Sequence, residues 1–313
     1  MTLSSDVVIR PMHDADTAAA DQAYRLAFGT QFGLAEPLQF RGDTAIIRTR
    51  WTMDRRPCFV ATIDDHIVGS VVGMDWGSAF ILGPLTVDPK HANRGIGRRL
   101  MTAAMAFVAE RQFPLAALYT LPNSAKHLHL YESFGFGARQ LTPVMVKTPA
   151  AGAAAPRLMS AVPPGSRERT VLACRAVADA NFDGLDLTRE IAAIAAQNLG
   201  ETVLLERDGT IGGFALCHFG KGSEAGTGAL YVKFACVRPG AAGDFTALLD
   251  ACETLAVARG AQRIIAGTNM ARENAYRIVR ERGFRAEIVG VAMLRPSQPG
   301  WNRPEILALD DWR

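Results

Sequence analysis

Gly83-Pro84-Leu85-Thr86-Val87-Asp88-Pro89-Lys90-His91-Ala92-Asn93-Arg94-Gly95-Ile96-Gly97-Arg98-Arg99-Leu100 divides into three parts. An apolar run with a β-branched end stops at Pro89, a Gly-X-Gly turn follows, and Leu100, Met101, Ala104, Met105 and Val108 recur at helical spacing. The pattern predicts strand, glycine loop and helix. Such a loop leaves consecutive backbone N–H groups unpaired at the positive end of the helix dipole, and Gly95 and Gly97 carry no β-carbon to hold a phosphate away. This is the chemistry of a pyrophosphate cradle.

Two common cradles do not fit. A Walker-type loop ends in Gly-Lys-Ser/Thr, whereas Arg98-Arg99 follow Gly97. A Rossmann fingerprint needs a third glycine where Leu100 stands. Val87-Asp88-Pro89, then Arg94-Gly95-Ile96-Gly97-Arg98-Arg99-Leu100-Met101, and later Leu130-Tyr131-Glu132-Ser133-Phe134-Gly135-Phe136, together resemble the GNAT superfamily of acyl-CoA N-acyltransferases. The resemblance rests on two separate motifs that agree in order and spacing. It implies an α/β fold with a twisted mixed sheet flanked by helices, acetyl-CoA (coenzyme A) as co-substrate, and an amine acceptor that is either a small molecule or a protein.

The chain has 313 residues, enough for two domains, and 49% of them are hydrophobic, enough for a core in each. A net charge of +3, from 34 basic and 31 acidic side chains, gives no bulk field for nucleic acid or an anionic membrane, so neither is expected as a partner. No apolar run approaches the roughly 18 residues of a spanning helix, and no leader pattern opens the chain. The expected location is cytoplasmic. Cys58, Cys174, Cys217, Cys236 and Cys252 are odd in number and widely spaced, which reads as buried thiols. His127 and His129 alternate on a predicted helix and point to different faces, so no metal site is expected.

In order, Val7 to Met12 reads as a strand, and Asp14 or Asp16 can cap a helix running towards Phe28. The segment from Thr30 to Asp54, with Gln31, Phe32, Gln39, Phe40 and Trp51, would line the acceptor pocket in a GNAT fold or else pack as surface. Cys58 to Ile63, His66 to Asp75 and Ala79 to Val87 form an antiparallel meander. Leu115 to Leu121 follows as a strand, Ser124 to Phe134 as a helix and Arg139 to Lys147 as a last strand. Residues 1–148 are thus expected to form one domain. Residues 149–166, rich in Ala, Pro and Gly, are expected to form a linker.

The remainder looks like the first half repeated. Val237-Arg238-Pro239 lies 150 residues after Val87-Asp88-Pro89, and Gly283-Phe284 lies 148 after Gly135-Phe136, which argues for duplication over residues 167–296. The second copy lacks the Gly-X-Gly and its arginines, and its helical stripe begins about two residues sooner. Asp244 is positioned to cap that helix with a negative charge where a phosphate would sit. Val279 replaces Tyr131, and Tyr276, one turn away, is the only substitute. The second copy therefore reads as a domain that has lost cofactor binding. The tail at 297–313 carries two tryptophans and two leucines and is expected to lie on protein.

The resemblance assigns roles residue by residue. Leu85, Thr86 and Val87 would offer backbone groups to the pantetheine arm. Arg94, Gly95, Ile96, Gly97, Arg98 and Arg99 would hold the pyrophosphate through N–H groups and guanidinium charge. The family usually has Gln or Arg where Ala92 stands, a loss of one loop contact. Ser124 and Lys126 stand where the family meets the lower cofactor arm, though Asn123-Ser124 also makes a good helix cap. Tyr131, with an ordinary pKa near 10, suits the acid that protonates a departing thiolate. The base stays open: Asp75 and Asp88 flank the strand pair, and a water chain is the alternative. Two functions follow, an acetyl-CoA-dependent N-acetyltransferase and a non-catalytic acyl-CoA sensor, as a monomer of paired domains or a homodimer. Retention of Tyr131 beside an intact cradle favours the enzyme.

Overall fold

The computed structural model describes residues 7–150, 152 and 155–313. The first half runs β1 (Val8–Pro11), α1 (Thr17–Gln31), α2 (Ile46–Met53), β2 (Phe59–Ile63), β3 (His66–Trp76), β4 (Ala79–Val87), α3 (Ile96–Glu110), β5 (Leu115–Thr120), α4 (Ala125–Glu132) and β6 (Gly137–Lys147). The second repeats the order: β7 (Arg157–Leu158), α5 (Pro164–Asn181), α6 (Thr188–Gln197), β8 (Gly200–Arg207), β9 (Thr210–Gly220), β10 (Gly226–Val237), α7 (Ala242–Ala258), β11 (Arg263–Gly267), α8 (Glu273–Glu281) and β12 (Arg285–Arg295). A short β13 (Ala308–Leu309) closes the tail. The β2–β3 turn sits where two adjacent residues with positive φ, Asp64 and Asp65, allow the tight reversal that the Asp-Asp pair predicts. Asp16 does not cap α1 in the expected way. Its carboxylate takes the backbone N–H of His13 at 2.7 Å and the Arg10 guanidinium at 2.6 Å, fixing the turn before the helix.

The mixed sheet flanked by helices is as expected, but the two halves do not keep separate sheets. All strands join one sheet in the order β1-β2-β3-β4-β5-β12-β6-β11-β10-β9-β8-β7, with β13 on β10. The last strand of each half has crossed over. β12 pairs antiparallel with β5, and β6 pairs antiparallel with β11, while β6 and β12 lie against each other at the centre. Each half supplies a single final strand, so each parallel β4–β5 or β10–β11 pair completes its ladder only with the other half's strand.

The core follows the same plan. One apolar cluster joins Met74, Trp76, Ile81 and Leu115 of the first half to Cys174, Ile191, Phe214 and Phe234 of the second and to Trp301 and Trp312 of the tail. A buried charge network crosses the same seam. Arg50 donates to both Glu224 oxygens at 3.1 and 2.7 Å, and Lys233 reaches Glu224 at 2.8 Å and Glu190 at 2.9 Å. Burial pushes the Glu224 carboxyl up, but Arg50 and Lys233 outweigh it and hold it well below the ordinary carboxylate range. The third guanidinium contact, from Arg50 Nη1 to the Gly83 carbonyl at 2.6 Å, ties this network to the bend in β4 where the site opens.

The expected linker is only partly one. Arg157–Leu158 pairs with Val203 and Leu204 of β8, Met159 and Val162 are buried, and α5 already begins at Pro164. Two apolar side chains among small residues suffice to anchor the segment. All five cysteines are buried free thiols.

Candidate functional site

β4 and β5 run parallel only where Ala79 to Leu82 face Leu115 to Leu118. Beyond Leu82 they part, and a cavity of about 430 Å³ occupies the split. Leu85, Thr86 and Val87 stay paired to Val71, Ser70 and Gly69 of β3, so their other backbone edge is left to the cavity. Their side chains serve packing: Thr86 Oγ1 lies 3.0 Å from Ser70 Oγ, and Leu85 and Val87 lie against the α3 core.

At one end of the split α3 begins. Gly95 adopts φ +75°, which favours glycine, and no atom lies within 4 Å of where its β-carbon would be. A β-carbon at Gly97 would meet only Leu130 at 3.7 Å and Val87 at 3.9 Å. The first N–H groups of α3 have no partner within the helix, and Gly95 to Arg98, which carry them, line this open space. Arg98 borders the cavity with its guanidinium over the Phe134 ring at 5.6 Å, and Lys126 borders it while donating to Asn93 Oδ1 at 2.8 Å.

Three residues expected here lie elsewhere. Arg94 leans on His91 Nδ1 at 3.1 Å, and Arg99, about 100° round the helix from Arg98, faces solvent. Ser124 Oγ bonds His127 Nδ1 at 2.9 Å, a local contact at the start of α4. None of the three borders the cavity.

α4 brings Tyr131 to the wall beside Leu130, its ring edge-on to Phe136 at 6.5 Å. Burial pushes the Tyr131 phenol well above its ordinary range. His127 and His129 both reach the cavity, and burial, with Lys126 adding, holds His127 below the ordinary imidazole value. No group of His, Cys, Asp and Glu side chains suited to a metal occurs among the described residues. Neither carboxylate considered as a base is at the site. Asp75 accepts from the Gly77 N–H at 3.0 Å and sits 3.3 Å from Arg189, and Asp88 accepts from the Lys90 N–H at 2.8 Å as a turn residue.

The far end of the split is aromatic. Phe28 and Phe32 stack on Phe40 at 5.7 and 5.5 Å, with Tyr24 edge-on at 5.7 Å. Gln31, Phe32 and Phe40 of the ambiguous segment thus border the cavity. Gln39 does not, and Trp51 is core, its Nε1–H donated to the Met12 carbonyl at 2.9 Å. Sequence reasoning missed Arg41, Tyr119, Trp312 and Arg313. The apolar tail was the only signal for the last two. Tyr119 and Arg41 carry none, since their placement follows from the strand split and from a loop fixed at long range.

The second half opens the same split and closes it. Ala229 to Val232 run parallel to Arg263 to Ala266, 150 and 148 residues after their counterparts, but Ala235 and Cys236 then pair with Leu309 and Ala308 of the tail. The Val237 N–H donates to the Leu307 carbonyl at 3.3 Å, completing the plug. Asp244 is not the cap expected: α7 starts at Ala242, so Asp244 is its third residue, and it accepts from Arg207 Nε at 3.2 Å. Val279 is buried in that half's core, and Tyr276 packs at the same core under Arg280, 5.7 Å from the ring, away from the cavity.

Residues 54–137 match the acetyltransferase (GNAT) domain family. A mycothiol acetyltransferase from Acidimicrobium ferrooxidans is 35% identical over 77 residues, covering 22% of this chain and 25% of its own. An uncharacterized N-acetyltransferase from Methanocaldococcus jannaschii is 31% identical over 96 residues, covering 30% of this chain and 54% of its own. The chain therefore spans a quarter to about half of these relatives' lengths. Among solved structures, a GCN5-related N-acetyltransferase from Sphaerobacter thermophilus aligns over 96% of this chain and 98% of its own, with TM-score 0.63 and 18% identity. The two-half fold, not only the matched domain, is shared with that protein.

Proposed function

We propose, from a chain whose residues 54–137 match the acetyltransferase (GNAT) domain family, that the protein transfers the acetyl group of acetyl-CoA to an amine in the first-half cavity. The observation that carries this reading is the meeting of three features at one strand split: the glycine-led start of α3, the open backbone edge of Leu85 to Val87, and Tyr131 on the wall of the same cavity. The open positions at Gly95 and Gly97 fit a pyrophosphate, with Arg98 and Lys126 supplying charge. Leu85 to Val87 would pair with the amide groups of the pantetheine arm as a strand would. The plugged split of the second half supports a single cofactor site per chain.

In this reading the amine nitrogen attacks the thioester carbonyl carbon, an N–C bond forms and the C–S bond breaks. The nitrogen gives up one proton, and the departing thiolate receives one from the Tyr131 hydroxyl, which is recharged from solvent. Among the described residues no Asp or Glu borders the cavity, and the amine's proton leaves to water or to the His127 imidazole, which burial keeps unprotonated. Replacing Tyr131 with Phe should lower turnover by about 10²-fold while leaving acetyl-CoA affinity unchanged. Because burial raises its pKa, Tyr131 keeps its proton through alkaline conditions, so the rate should not fall until above about pH 10. A descending limb well below that, or an unaltered rate in the Phe variant, would return Tyr131 to a packing role. Amine-dependent release of free thiol, with the acetylated amine identified by mass, tests the reaction itself; a sensor would bind acetyl-CoA and release none.

A further inference from the structure

Resting on that acyl-transfer reading, we propose that the far end of the cavity selects an acceptor amine that also carries a carboxylate, held by Arg41 with Arg313 and Tyr119. Among the described residues the side-chain charges in this region pair off with one remainder. Arg50 is matched by Glu224, Lys233 by Glu190 and Glu224, and Arg313 by Asp311, whose Oδ1 lies 3.1 Å from its Nε. Arg41 borders the cavity half-buried and makes no ion pair or side-chain hydrogen bond among the described residues.

Arg41 is also a positioned residue. It sits in the left-handed region at φ +64°, unusual for a side chain of its size. Arg25 fixes the loop on both sides of it, donating to the carbonyls of Phe40 at 2.7 Å, Gly42 at 2.6 Å and Thr44 at 2.6 Å, while Asp21 holds Arg25 at 2.6 Å. Burial and the nearby Arg313 both work against the Arg41 charge. A guanidinium does not shed its proton, so this is an electrostatic cost that an anion in the cavity would relieve.

Two further donors complete the end. Arg313 lies over the Tyr231 ring at 4.4 Å, and its carboxylate partner is shared, because Asp311 Oδ1 also accepts from the Tyr231 hydroxyl at 3.0 Å. The Tyr119 hydroxyl is buried with no hydrogen-bond partner, and it borders the same cavity. A carboxylate reaching this end would satisfy it and the unpaired guanidinium together. The stacked Phe28 and Phe40 suit an acceptor whose remaining part is apolar or aromatic, with the amine directed back towards Tyr131.

The test compares L-phenylalanine, L-phenylalaninamide and phenethylamine as acceptors in the thiol-release assay with the full chain. The expected kcat/KM for the acid exceeds that for the amide by about 10- to 100-fold, the value of a charge-assisted contact. Arg41→Gln should collapse that ratio with acetyl-CoA affinity retained, and Arg41→Lys should restore part of it. Phenylacetate should bind by calorimetry, phenylacetamide should not, and Arg41→Gln should remove the difference. Equal use of acid and amide, or a preference that survives Arg41→Gln, overturns the carboxylate proposal and leaves acyl transfer standing. Arg41-dependent phenylacetate binding with no turnover of any amine supports the anion-binding end and overturns the acyl-transfer reading.

Discussion

Residues 1–148 expressed without the rest of the chain are expected to lack a cooperative fold. The cut removes β12 from the edge of β5 and removes both partners of β6, which pairs only with β11 and β12. It also opens the apolar cluster that Trp76 and Leu115 share with Phe234 and Trp301. Arg50, 1% exposed, would be left without Glu224. Stranding one member of a buried ion pair costs about 3–5 kcal/mol, already a large share of the roughly 5–15 kcal/mol that holds a domain together. Urea unfolding followed by circular dichroism should give no sigmoidal transition for the fragment and a clear one for the full chain. A fragment unfolding cooperatively at a midpoint near that of the full chain would mean that the exchanged strands are dispensable.

Gly97→Asp should abolish acetyl-CoA binding, weakening it by about 100-fold or more, while the protein remains folded. The two effects separate cleanly at this position. A β-carbon there meets nothing closer than 3.7 Å, and an acidic side chain in the first turn of a helix is favourable for the helix dipole. The thermal midpoint should therefore hold or rise. The carboxylate would cover the N–H groups that face the cavity and repel a pyrophosphate. An acidic residue is already tolerated at the corresponding turn of the second half, where Asp244 is the third residue of α7 and accepts from Arg207 Nε at 3.2 Å. Unchanged affinity in Gly97→Asp would show that the cradle does not hold the ligand.

Much of this was legible because it is local. The meander, the glycine loop and the helix after it are written in consecutive residues, and β3, β4 and α3 fall where periodicity and Pro89 put them. The internal repeat was legible for the same reason, and the two spacings of 150 and 148 residues recur in the paired segments of the two strand splits. What escaped depends on contacts distant in sequence. Nothing in Gly137–Lys147 marks it for β11 and β12, since an alternating strand pairs equally well with either half. The tail reads as apolar, but its insertion beside Ala235 and Cys236 is decided by an open strand edge over 70 residues away. Arg99 and Arg98 are equivalent as letters, and only the helical turn between them separates solvent from cavity. Arg41 is placed by Arg25 from the preceding helix, a clamp without any motif.

The central claim is one catalytic centre per chain, built by the first half and completed by the second. Calorimetric titration of the full chain with acetyl-CoA tests it most directly. The expected result is one site per chain, lost in Gly97→Asp and retained in Asp244→Ala. Two sites per chain, or a single site that survives Gly97→Asp and disappears in Asp244→Ala, would contradict it.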